Sequence, residues 1–107
     1  MLFVTTEYLP GAEIQVLGLV KGSTIQTVNA FKDFGAGLKT IVGGELKHYT
    51  QMMDDARQIA TDRMLFEAQA KGADAVIGVR YATSAVMQSA AEVMAYGTAV
   101  KIIRRPE

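Results

Sequence analysis

The chain has no cysteine, a single histidine and no net charge, and each shortage removes a class of function. Without cysteine there are no disulfides, no thiolate metal ligands and no cysteine nucleophile. The same absence suits a reducing compartment, and a cytoplasmic location is expected. With only His48 to serve as a base, the plentiful serines and threonines find no convincing catalytic triad. Eleven Lys plus Arg balance eleven Asp plus Glu. The field that draws a protein onto a phosphate backbone is therefore missing, and nucleic acid is not an expected partner. No apolar run approaches the ~20 residues that span a bilayer, so no membrane span is expected. The opening Met1-Leu2-Phe3-Val4-Thr5-Thr6-Glu7 lacks the basic region and long apolar core of a signal peptide. No internal repeat, linker or low-complexity tract occurs.

What remains is a chain of 107 residues, half of them hydrophobic. A length of this order predicts one domain, spanning residues 1–107. The apolar share is high for so small a body, and other copies of the chain are expected to cover the surplus.

Leu2 to Thr6 reads as a short strand, followed by a turn at Pro10-Gly11. Glu13 to Val20 has apolar residues on both alternating faces, as in a strand covered on both sides. Lys21-Gly22-Ser23 suggests a hairpin turn, and Thr24 to Ala30 a further strand. From Phe31 to Val42, apolar residues at helical spacing predict a short helix weakened by Gly35 and Gly37 and ended by Gly43-Gly44. Leu46 to Lys71 is the longest element: Leu46, Tyr49, Met53, Ala56, Ala60, Met64 and Ala68 form one stripe, and Met52, Ile59 and Phe66 a second beside it. A helix of ~26 residues is ~39 Å long, enough to span a small sheet or overhang it towards a neighbour. Gly72 fits the left-handed position that stops a helix. Asp74 to Thr83 and Glu92 to Ile103 then alternate as strands, joined by the small and polar stretch from Thr83 to Ala91. The order βββ(α)αββ predicts an α+β fold: an antiparallel β-sheet packed on one long α-helix, with a short helix before it.

Few side chains offer chemistry. Glu45 and His48 lie one helical turn apart and are the candidate metal ligands, since a carboxylate and an imidazole so placed can share a divalent metal ion. Such a site needs two or three more ligands, which would come from elsewhere or from other copies about a symmetry axis. The plainer reading of the pair is a solvated helix face. Asp54, Asp55 and Asp62 share the helix with Arg57 and Arg63 and read as a charged face with local pairs. Gly35-Ala36-Gly37 and Gly43-Gly44 match neither a P-loop nor a dinucleotide fingerprint, and are read as tight turns or close packing between chains. The six methionines mostly fall on apolar faces as flexible filler.

Taken in order, these segments resemble one family. Thr5-Thr6, Gly18-Leu19-Val20-Lys21-Gly22, Ile41-Val42-Gly43-Gly44, Tyr49, Gly72-Ala73-Asp74-Ala75-Val76-Ile77-Gly78-Val79 and Tyr96-Gly97-Thr98-Ala99-Val100 are similar to the YbjQ-like bacterial family over almost the whole chain. The resemblance implies a small α/β subunit, related in shape to dodecin subunits and assembled as a ring-shaped homopentamer. It also carries a heavy-metal-binding label. The matched residues, however, are glycines and apolar side chains rather than ligands, and no catalytic residues carry over.

Three functions are therefore expected, in this order. The first is a non-enzymatic homo-oligomer holding a small ligand or ion between subunits. The second is metal binding through His48, Glu45 and nearby carboxylates. The third is an enzyme whose site is shared between subunits and uses Tyr49, His48, Arg80 or Glu92.

Overall fold

A computed structural model describes residues 1–27, 43–87 and 90–104, with the backbone alone described for residues 43–49 and 87. Among these residues, four strands and one helix follow in the order β1 (Leu2–Phe3), β2 (Glu13–Thr27), α1 (Gly43–Ala70), β3 (Ala75–Met87) and β4 (Ala90–Arg104). The strands form one sheet in the order β1-β3-β4-β2. β4 is central and pairs antiparallel with both β2 and β3. The α+β class is as expected. β1, however, pairs parallel with β3, so the sheet is mixed rather than antiparallel. The short helix expected from Phe31 to Val42 lies outside the described residues.

Two other expectations fail for one reason: small or polar residues were read as turns where long strands run through them. β2 is a single strand of fifteen residues, with no hairpin at Lys21-Gly22-Ser23. Its pairing with β4 continues through Lys21↔Tyr96, Gly22↔Ala95 and Ser23↔Met94. Likewise β3 runs on to Met87 and β4 begins at Ala90, so most of the supposed loop from Thr83 to Ala91 is strand.

Gly22 is there for its size. A Cβ added at this position would fall on the backbone of α1, at the carbonyl of Ala60 and the amide of Met64, with the Cβ of Arg63 2.6 Å away. The helix therefore rests its backbone directly on β2. The stripe that makes this contact is small: Ala56, Ala60 and Ala68 are fully buried, and Met64 is the one large side chain among them. From the sheet, Val20, Val76, Val79, Val93, Ala95 and Ala99 meet that stripe to form the main core. Phe66, expected on a second apolar stripe, is instead 75% exposed.

The helix stops where the glycine pattern placed its end. Gly72 has φ +77°, and two reversed hydrogen bonds close the turn, Gly72 N to Gln69 O at 3.0 Å and Ala73 N to Ala68 O at 3.1 Å. These are the two bonds of a Schellman cap, and Ala73 adds the usual apolar contact by packing on the main core. Asp74 then secures the entry to β3: its Oδ2 accepts from the amide of Ile102 at 2.8 Å.

Among the described residues, the opposite face of the sheet is covered at one end. Val4, Leu9 and Ile14 pack there on Ala75, Ile77 and Val100. Gly78 makes this cover possible. Between Ile77 and Arg80, β3 carries one residue more than β4, and Gly78 takes φ +61°, a conformation that side chains disfavour. The bulge aims two amides at the N-terminal segment, Gly78 N to Thr6 O at 2.7 Å and Val79 N to Val4 O at 3.0 Å.

Candidate functional site

Among the described residues, those singled out for chemistry do not converge. Glu45 and His48 fall within the first turns of α1, and their side chains, with that of Tyr49, lie outside the described residues. Arg80 follows the Gly78 bulge. Its Nη1 donates to the carbonyls of Thr5 and Val79, both at 2.9 Å, so it ties the N-terminal segment to β3. Glu92 lies in register with Ser84 and Ile25, whereas Arg80 lies in register with Tyr96. Four residues along a strand separate those two rows by roughly 13 Å, so Arg80 and Glu92 do not share a site within one copy.

The helix acids make local pairs, as their spacing predicted. Asp54 lies 3.6 Å from Arg57, both well exposed. Gln51 donates to Asp55 at 3.1 Å and Gln58 to Asp62 at 2.9 Å. Among the described residues no three His, Cys, Asp or Glu side chains gather as a metal site requires. The donors described here therefore do not fit a resident metal, whose ligands must converge at bonding distance.

One polar contact was not foreseen. The Tyr81 hydroxyl meets Thr61 Oγ1 at 2.8 Å, and Thr61, buried under the sheet, also donates to the Arg57 carbonyl at 2.7 Å. The contact pins β3 to the helix at the point where β3 leaves its other neighbour. A tyrosine in a strand and a threonine twenty residues earlier carry no shared sequence signal.

What the structure does gather is surface. Beyond the cover of Val4, Leu9 and Ile14, the outer face of the sheet shows Leu19 at 62% exposure and Ile25 at 57%, with Val16 and Tyr96 on the same face. Next to it, every side chain from Tyr81 to Val86 is exposed. Among the described residues, β3 pairs there only with β4. The absence of charge from Tyr81 to Ala91 was the available signal for this bare edge, and it reads equally as a loop.

Among the described residues, a four-stranded mixed sheet backed by one long helix, with an apolar outer face and a strand edge that meets no further strand, defines a small α+β protein. The comparisons agree on its lineage. The family model described as "Putative heavy-metal-binding" matches residues 1–103, and the chain belongs to this YbjQ family. A UPF0145 protein of Clostridium novyi is 63% identical over 103 residues, covering 96% of this chain and all of its own. A UPF0145 protein of Thermus thermophilus is 55% identical, covering 95% of this chain and 90% of its own. A crystal structure from Pediococcus pentosaceus, of a protein of unknown function in the DUF74 family, superposes with a TM-score of 0.69. It covers 95% of this chain and 97% of that one at 19% identity, which supports the fold alone.

Proposed function

We propose that the chain is one subunit of a cytoplasmic homo-oligomeric ring, a pentamer, that holds a small ligand or ion between its copies and does not catalyse a reaction. The observation that carries this reading is the excess of surface. The chain exposes 7073 Å², against about 5,800 Å² for a folded monomer of its 11.5 kDa mass. It is also drawn out, with a radius of gyration of 17.5 Å where about 13 Å is usual for this length. Leu19, Ile25 and Phe66 lie on the surplus. Large apolar side chains shared between copies in this way favour association. Light scattering of the full chain is expected to give about 58 kDa, five times the 11.5 kDa of one copy. A mass of one copy at micromolar concentration would reject the proposal.

A second reading, metal binding, rests on one observation. The backbone of α1 is helical from Gly43, so Glu45 and His48 have the one-turn spacing that a shared ion needs. The remaining ligands would come from neighbouring copies. Calorimetry with Zn²⁺, Cu²⁺ and Ni²⁺ on the native chain and on His48→Ala decides it. Heat that disappears in the variant supports a site at His48; no heat, or equal heat in both, removes it.

A further inference from the structure

We infer that residues 1–9 form a strap that opens as a unit on a hinge at Pro10-Gly11, with Arg80 as its latch, while the rest of the sheet stays folded.

The strap lies across the start of β3. Leu2 and Phe3 pair with Ala75 and Val76, and Val4 and Leu9 pack on Ala75, Ile77 and Val100. The strap puts little of itself into the interior. Every residue from Met1 to Ala12 is exposed or half-buried, whereas Ala75 and Val100 beneath them are fully buried. Segments with few buried apolar groups and exposed hydrogen bonds open locally, at lower free energy than a core. The strap has the first trait along its whole length, and its bond to Arg80 is exposed.

The attachments concentrate on three consecutive residues. Val4 donates to the Val76 carbonyl at 2.9 Å and accepts from the Val79 amide at 3.0 Å. Thr6 accepts from the Gly78 amide at 2.7 Å. Thr5, between them, accepts from Arg80 Nη1 at 2.9 Å. Bonds on one short run of backbone form and break together, which makes the strap a single unit. Among the described residues, Arg80 is the one side chain outside the strap that hydrogen-bonds to it. The same Nη1 also donates to the Val79 carbonyl at 2.9 Å, which holds the latch in place over β3.

The far end of the strap has a joint. The Ala12 amide donates to the Leu9 carbonyl at 3.0 Å, closing a turn over Pro10-Gly11. Gly11 has φ +75°, a region that glycine enters without penalty. Hinges form at such positions because one or two residues can absorb the change in direction. Glu13 is already in the ladder, paired with Arg104, so the motion stops there.

Opening changes what the sheet presents. It bares Ala75, Ile77 and Val100 and frees the amides of Gly78 and Val79. An apolar patch beside unpaired main-chain groups is what a sheet edge uses to take up an extended segment. The closed strap fills that place with residues of the same chain, and so acts as an internal cover.

The chain has no cysteine, so one introduced thiol reports the exposure of its own site. Ala75→Cys places a thiol beneath the strap, and Ala99→Cys places one in the main core. The rate at which an aromatic disulfide reagent labels each thiol follows the population of its open form. The Ala75→Cys protein is expected to react about tenfold faster than the Ala99→Cys protein, or more. Its rate is expected to respond little to dilute urea, because opening the strap exposes little surface. Arg80→Met keeps the stem and removes the donors. Added to each protein, it is expected to speed labelling at position 75 about fivefold, the loss of one net hydrogen bond, and to leave position 99 unchanged. Equal rates at the two positions overturn the strap as a separate unit. A rate at position 75 that Arg80→Met leaves unchanged overturns Arg80 as the latch. Should a cysteine variant fail to fold, amide exchange in the parent decides. The amides of Val4, Gly78 and Val79 are expected to exchange together, and faster than those of Val93 to Ala99 in β4. Exchange of the three only in step with that part of β4 overturns the opening.

Discussion

Gly22→Ala is the sharpest test of how helix and sheet are joined. The new methyl carbon would fall on the backbone of Ala60 and Met64. Backbone cannot swing aside as a side chain can. Carbon contacts settle at roughly 3.5–4.0 Å, so α1 must lift from β2 by about 1 Å. A gap of that size forfeits a quarter to a half of each dispersion contact along the stripe. The stripe concerned is Ala56, Ala60 and Met64, at the centre of the main core. Overpacking a core costs about 1–3 kcal/mol, and a contact made by backbone belongs at the upper end. A loss of about 3 kcal/mol lowers the melting temperature of a domain this size by roughly 10–20 °C. Gly72→Ala is the comparison. At Gly72 there is open space but a φ of +77°, so its cost is conformational, about 1–2 kcal/mol. Urea titration followed by circular dichroism, with every protein at one concentration, gives both differences. A Gly22→Ala chain within about 1 kcal/mol of the parent, or less damaged than Gly72→Ala, would refute the seating of the helix on the strand and revive a turn at this position.

Further outcomes can be checked by the same titration. Met64→Ala empties the largest fully buried side-chain site and is expected to cost about 2–5 kcal/mol; a loss under 1 kcal/mol would mean that the core collapses around the gap. Tyr81→Phe removes the bond to Thr61 but leaves Thr61 its bond to Arg57, so about 0.5–1.5 kcal/mol is expected, and a neutral result would mean that the pin is idle. Asp74→Ala deletes the carboxylate that accepts from the Ile102 amide; a charged acceptor of this kind is worth about 1.5–3 kcal/mol. By contrast, Arg104→Ala breaks an ion pair to Glu13 that is open to solvent at 3.8 Å, and a change above about 1 kcal/mol would contradict its exposure.

The helix is legible in the order of its residues. Its stripe of Ala56, Ala60, Met64 and Ala68 and its stop at Gly72 are features of neighbouring positions, and the fold bears both out. Capping and periodicity act within a few turns of chain, so the sequence holds all their terms. The two closing strands are legible for the same reason, though their lengths are not. Small and polar residues between Thr83 and Ala91 suit a loop and a strand equally, and only pairing across the hairpin separates the two. As for chemistry, the lack of cysteine and the lone histidine narrow the candidate ligands to Glu45 and His48, whose side chains lie outside the described residues.

Other features rest on which distant segments come to lie together. Gly22 looks like a turn in sequence, yet it is the seat for a helix whose contact residues lie some forty positions later. β1 pairs in parallel with the start of β3, and the segment after it is held because the Gly78 bulge turns two amides towards the carbonyls of Val4 and Thr6. Among the described residues, β3 meets only β4 from Tyr81 to Val86, because β1 and its extension reach no further than Val79 while β3 continues. Composition alone led to the expectation of more apolar surface than one small body buries. Tertiary structure located that surface, because exposure is decided by what each strand fails to meet.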